Sequence, residues 1–174
     1  WLDQLGARKP IVKEETTITI FKRHKNYRRI DFKITLLAQE PQVSIGGSED
    51  EKGYGGFSPR IKLQPEMLFR GPNGLVQPTN LPVAAQEWID ISGPIGLDGR
   101  MAGCTIIAHP SNPDYPNPWI LRTKGSMQNA VFPFPGRVPI PLSQDKALTL
   151  KYSLLVHNGM PSISKLSKIA KRIK

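Results

Sequence analysis

Residues 147–157, ALTLKYSLLVH, place Leu148, Leu150, Tyr152, Leu154 and Val156 at every second position. Side chains alternate across an extended chain, so this spacing predicts a β-strand with one apolar face. RRIDFKITLLA (28–38) repeats the pattern with Ile30, Phe32, Ile34 and Leu36, and ETTITIF (15–21) repeats it with Ile18 and Ile20. Each reads as a half-buried strand, and the polar KRHKNY (22–27) between the last two becomes a hairpin end. Further on, GFSPRIKL (56–63) alternates with Phe57, Pro59, Ile61 and Leu63 on one face. A proline there puts that strand at an edge or a bulge. EWIDIS (87–92), GCTIIAHP (103–110), PWILRT (118–123) and RVPIPL (137–142) are further short strand signals. Residues 65–82, rich in Pro, Gly and Asn, read as a long excursion.

Many short strands joined by punctuated loops predict an all-β fold, an antiparallel β-sandwich over residues 1–160. Only PSISKLSKIAKRIK (161–174) has helical spacing: Ile163, Leu166, Ile169, Ala170 and Ile173 fall opposite the lysines, with Ser162 or Ser164 as N-cap. A basic amphipathic helix of this kind lies on an anionic membrane or docks on its own sheet, and docking is the expectation.

At 174 residues the chain fits one domain with a core that needs no cross-links. Its single cysteine, Cys104, permits no internal disulfide and leaves the compartment open between periplasmic or secreted and cytoplasmic. It begins at Trp1 without an initiator methionine, as expected of a processed piece of a longer protein. No apolar run approaches the ~20 residues that cross a bilayer, so no integral membrane segment is expected.

The net charge of +10 is concentrated in two places. KRHKNYRR (22–29) and KLSKIAKRIK (165–174) carry five Lys/Arg each and no acid, while the remaining 14 Lys/Arg match the 14 Asp/Glu. This predicts solvated charge on a hairpin and a tail. It argues against a general polyanion-binding surface and against a nucleic-acid role, since Tyr27 is the one aromatic interleaved with the basic residues.

Two segments concentrate candidate chemistry. GGSEDEKGYGGFSPR (46–60) lacks the Lys-Ser end of a phosphate-binding loop and leads into a strand pattern where a helix would be required. Its Lys52, Tyr54 and Arg60, beside Glu49 and Glu51, are expected to converge at the start of a polar strand face. In HPSNPDYPNPWILR (109–122), His109 ends a strand, Asn112 and Asp114 sit in a proline-stiffened loop, and Trp119 and Arg122 follow on the next strand. His157 lies near the end of the last strand. Lys52, Arg60, His109 and Arg122 are expected to face one polar cleft. Three histidines without HxH or HExxH spacing, and one thiol, predict no metal site. The ordinary alternatives are a solvated loop, turn-forming Asn and Asp, and a histidine that caps backbone.

SIGGSEDEKGYGGFSPRI, IIAHPSNPDYPNPWILR and LTLKYSLLVHNG together resemble the PmoA-like family of bacterial proteins, over roughly residues 28–160. The chain looks like the C-terminal portion of that longer family. The methane oxygenase activity its label evokes is excluded here, because that enzyme is membrane-embedded and copper-dependent and this sequence has neither a spanning segment nor a ligand cluster. The resemblance implies a galactose-mutarotase-like sandwich that holds a saccharide on a concave sheet face, without a cofactor. Sugar recognition needs planar polar groups for hydroxyl pairs and an aromatic face for the ring. Lys52, Tyr54, Arg60, Asn112, Asp114, Trp119 and Arg122 supply those types, and Glu51, His109 and His157 supply acid and base groups should the sugar react. The alternative is a non-catalytic interaction module that self-associates or pairs with another chain or an N-terminal half.

Overall fold

The alternating segments build one antiparallel sheet. In the computed structural model, which describes residue 6 and residues 8–79, 81–124 and 127–173, β1 (Val12–Ile20) turns back into β2 (Tyr27–Ala38). Trp1 and Lys174 of the basic tail lie outside the described residues. β2 pairs with β11 (Leu148–Asn158), and the sheet continues through β7 (Ala102–Ala108), β6 (Trp88–Gly93), β4 (Leu68–Gly71) and β5 (Gly74–Leu75). Every neighbouring pair is antiparallel.

The period-2 pattern fixes which residues share a face, because a one-residue slip would invert it. Tyr152 stands opposite Phe32 and Ala108, and Leu154 opposite Ile30 and Ile106. This face packs against a second layer made mostly of loops, stiffened by two short ladders. One joins β3 (Ser44–Ile45) to β10 (Ile140–Pro141), the other β8 (Trp119–Ile120) to β9 (Asn129–Ala130). The core between the layers holds Phe69, Ile89, Ile91, Ile106, Trp119, Phe132 and Leu150. Each such side chain contributes about 1.5–3 kcal/mol when fully buried. The architecture is therefore all-β and sandwich-like.

The opposite face carries α1 (Ile163–Ala170). The Ser162 side chain accepts from the Lys165 N–H at 3.3 Å and caps its first turn. Leu166, Ala170 and Ile173 are buried against Trp88, Ile107 and Leu155, so the helix docks on its own sheet. No helix among the described residues is long and apolar enough to cross a membrane.

Three expectations are corrected. β1 is not half-buried: it is an edge strand, and Ile18 and Ile20 are 55% and 63% exposed because neither layer covers it. Residues 56–63 do not form a regular strand. They meet residues 127–130 through two isolated bridges, Phe57 to Ala130 and Arg60 to Met127. Pro59 has no N–H to give a ladder, Gly56 sits at φ +82°, and the Asn129 amide takes the Gly55 and Phe57 carbonyls at 2.6 and 3.3 Å. Residues 65–82 contain the β4–β5 hairpin, whose turn uses Gly74 at φ +120°.

Candidate functional site

On the helix-bearing face, beyond the part that the helix covers, β2 and β11 present polar residues that alternate with the core. Asp31 and Lys33 lie opposite Ser153 and Lys151, and β1 adds Thr17 and Thr19. With His109 and the last residues of the helical segment, Arg172 and Ile173, they bound an open cleft of ≈ 310 Å³. The Asp31 carboxylate accepts from the Ser153 hydroxyl at 2.7 Å and lies 3.1 Å from Arg29 Nε. The guanidinium of Arg29 in turn covers the Phe21 ring at 3.8 Å. Lys33 and Lys151 stand directly across from each other, an arrangement that costs stability because like charges meet. Among the described residues neither ammonium has a carboxylate partner. His109 Nδ1 accepts from the Ser111 N–H at 3.0 Å and meets the Ser111 hydroxyl at 2.7 Å. With Nδ1 an acceptor, the neutral ring carries its hydrogen on Nε2.

Towards the other edge the same face holds a buried polar network centred on Asp90. One carboxylate oxygen accepts from the Thr105 hydroxyl and His157 Nε2–H, both at 2.8 Å. The other accepts from the Ser92 hydroxyl at 2.7 Å and from the Arg70 guanidinium, Nε at 3.2 Å and one terminal nitrogen closer. His157 Nδ1 faces the Gly159 carbonyl at 3.0 Å, so both ring nitrogens face acceptors. Burial pushes the Asp90 carboxyl up, but the hydrogen bonds from His157, Ser92 and Arg70 outweigh it and hold the group below the ordinary carboxylate range. Gly103 makes room for the ring: a Cβ there would stand 2.7 Å from His157 Cε1. None of the five residues exceeds the 8% exposure of Arg70, so the network braces the core and offers a solute no entry.

The residues singled out in the sequence fall into separate environments. His109 lines the cleft, while His157 is bound into the buried network. Asn112 is 4% exposed and pins β11, its amide donating to the Lys151 carbonyl at 2.9 Å and accepting the Lys151 N–H at 2.7 Å. Asp114 takes a left-handed turn position at φ 57°. Trp119 is fully buried with its Nε1–H on the Gln86 carbonyl at 2.9 Å, so it has no face to offer a sugar. Lys52 and Arg122 both stand over the Tyr54 ring, at 5.9 and 5.3 Å. Glu49 and Glu51 are exposed on a loop ordered by Asp50, which accepts from the Ser48 hydroxyl at 2.5 Å and the Lys52 N–H at 3.1 Å.

Lys52, Tyr54, Arg60 and Arg122 therefore belong to the loop layer, across the sheet from His109. The single cleft expected from Lys52, Arg60, His109 and Arg122 does not form. The glycines explain why. A Cβ on Gly136 would lie 2.6 Å from Gly53 Cα, so the 46–60 loop uses its glycines to lay backbone on backbone. The cleft residues Arg29, Asp31, Lys33, Lys151, Ser153 and Arg172 were missed. Their signal was strand parity: each strand residue occupies a polar position of an alternating segment.

These side chains make a site of hydroxyls, cations and one carboxylate, with no thiol among them. Cys104 is elsewhere, and burial, with Asp90 nearby, pushes its thiol up to about 12. Among the described residues no three His, Cys, Asp or Glu are grouped to hold a metal. The chain belongs to DUF6807, a family of unknown function. The match spans residues 1–171. No curated protein and no solved structure matches the chain. Nothing in these comparisons supports the PmoA-like family or the galactose-mutarotase group.

Proposed function

We propose that the protein is a saccharide-binding β-sandwich whose ligand lies in the open cleft on the helix-bearing sheet face. The observation that carries this reading is the cleft's composition. Asp31 is held by Arg29 and Ser153 as an acceptor for a hydroxyl, and Lys33, Lys151 and Arg172 are donors around it. Thr17 and Thr19 add groups that both donate and accept. Vicinal hydroxyls require such interleaved donors and acceptors. His109 and Asp31 stand in the same cleft, but the reading requires only binding. Calorimetry of the full chain against a panel of neutral and acidic oligosaccharides tests it, with Asp31→Asn expected to weaken whichever sugar binds. A chain that binds no saccharide would overturn it.

A second reading, an interaction module, is favoured by β1. Its nine residues form an edge strand exposed on both faces, with Thr16 to Ile20 rich in β-branched side chains. Such an edge is a template for strand addition. Light scattering at rising concentration would detect self-pairing, and a proline at Thr17 should abolish it.

A further inference from the structure

We propose that the cleft is one end of a continuous cationic groove that holds an extended acidic glycan, a chain in which hydroxyls alternate with anionic groups. This rests on the saccharide reading and names its substrate class. The two basic segments lie far apart in sequence, yet the fold sets them face to face. Beyond the cleft, hollows of ≈ 430 and ≈ 340 Å³ follow the seam between the 21–29 hairpin and the helical segment. The first shares Arg29 and Arg172 with the cleft, and the second shares His24, Tyr27, Ile169 and Arg172 with the first.

Among the described residues, seven Lys/Arg side chains and a single carboxylate, Asp31, stand along this path. Arg29 is tied to that carboxylate. Lys22, Lys33, Lys151, Lys165, Lys168 and Arg172 make no ion pair among the described residues. A row of uncompensated cations, with Lys33 and Lys151 directly opposed, is an unfavourable arrangement that a polyanion relieves. Hydroxyls are spaced along the same path, Thr17 and Thr19 at one end and Ser164 at the other. Cations flanked by hydroxyls at both ends suit a chain of charged sugars.

Two other polyanions fit less well. Binding of single-stranded nucleic acid uses open aromatic faces for base stacking. Here Arg29 covers Phe21 at 3.8 Å, and Tyr27 has Lys165 over it at 5.9 Å and His24 tilted against it at 5.2 Å. An anionic membrane takes up the apolar stripe of a basic helix. In this helix Leu166 and Ala170 are already buried in the core.

The test is calorimetry of the full chain with oligogalacturonate, a neutral gluco-oligosaccharide of equal length, an oligothymidylate and phosphatidylserine vesicles, each at low and raised salt. Oligogalacturonate should bind at least about tenfold tighter than the neutral chain and weaken as salt rises. Lys33→Ala with Lys151→Ala, and separately Lys165→Ala with Lys168→Ala, should each weaken it by about tenfold. The salt response of the unsubstituted chain decides the matter even if a variant misfolds. Equal, salt-independent binding of both sugars would overturn the groove and leave the saccharide reading standing. Binding of neither would remove both, and tighter binding of oligothymidylate or vesicles than of oligogalacturonate would overturn the glycan assignment.

Discussion

Replacing Asp90 by alanine should be among the most damaging single changes in this protein. The side chain has no solvent exposure and is the acceptor for Arg70, His157, Ser92 and Thr105. Truncating it leaves the Arg70 guanidinium, itself 10% exposed at the side chain, facing an empty space where its counter-charge stood. Breaking a buried pair from one side costs about 3–5 kcal/mol. Domains of this kind have about 5–15 kcal/mol of stability, so about a fifth or more is lost and the melting temperature falls by about 10 °C. Urea denaturation followed by circular dichroism measures this directly. Adding Arg70→Met should restore part of the loss, because it removes the stranded charge, with a coupling of about 1–3 kcal/mol. A loss below about 1 kcal/mol for Asp90→Ala, or no coupling with Arg70, would refute the assignment of the network as a core brace. The pH dependence has a definite sign. The folded carboxyl titrates below its ordinary value of 3.8, so its contribution is complete above that value and disappears as pH falls through the lower folded value. Asp90→Asn should flatten the acid limb of the stability profile.

Leu166→Ala should cost about 2–5 kcal/mol, since the side chain is 1% exposed between helix and sheet, and differential scanning calorimetry would show the lowered transition. Gly103→Ala should cost about 1–3 kcal/mol by overpacking, its Cβ meeting the Ile91 carbonyl at 2.5 Å and His157 at 2.7 Å; an unchanged denaturation midpoint would mean that β6 and β7 give way freely. The Cys104 thiol, pushed up to about 12, should resist an aromatic disulfide reagent at pH 8 in the native chain and react once urea unfolds it. Rapid native labelling would contradict the raised thiol pKa of this half-buried residue.

Alternation at every second residue was enough to predict β2 and β11, because a strand that buries one face must place apolar side chains on that parity. The terminal helix was equally legible from Leu166, Ala170 and Ile173. Local pattern could not say what covers each face, and so Ile18 and Ile20 were expected to be half-buried although β1 ends the sheet beyond both layers. Nor could it show that Pro59 and the Asn129 amide would interrupt the 56–63 strand, since the competing partners come from residues more than 60 positions away.

Composition alone located two acid-free basic segments in the chain, and read singly each is a solvated hairpin end or tail. Their meeting along one groove depends on β2 pairing with β11 and on the helix docking beside them, contacts between residues more than a hundred positions apart. The same is true of Trp119 and His157. Their side-chain chemistry suits a binding site, but the tertiary packing closes over both and leaves the polar parity of β2 and β11 as the surface a ligand can reach. Sequence determined which faces are apolar, because that is local periodicity; which polar side chains converge was decided by strand order and register.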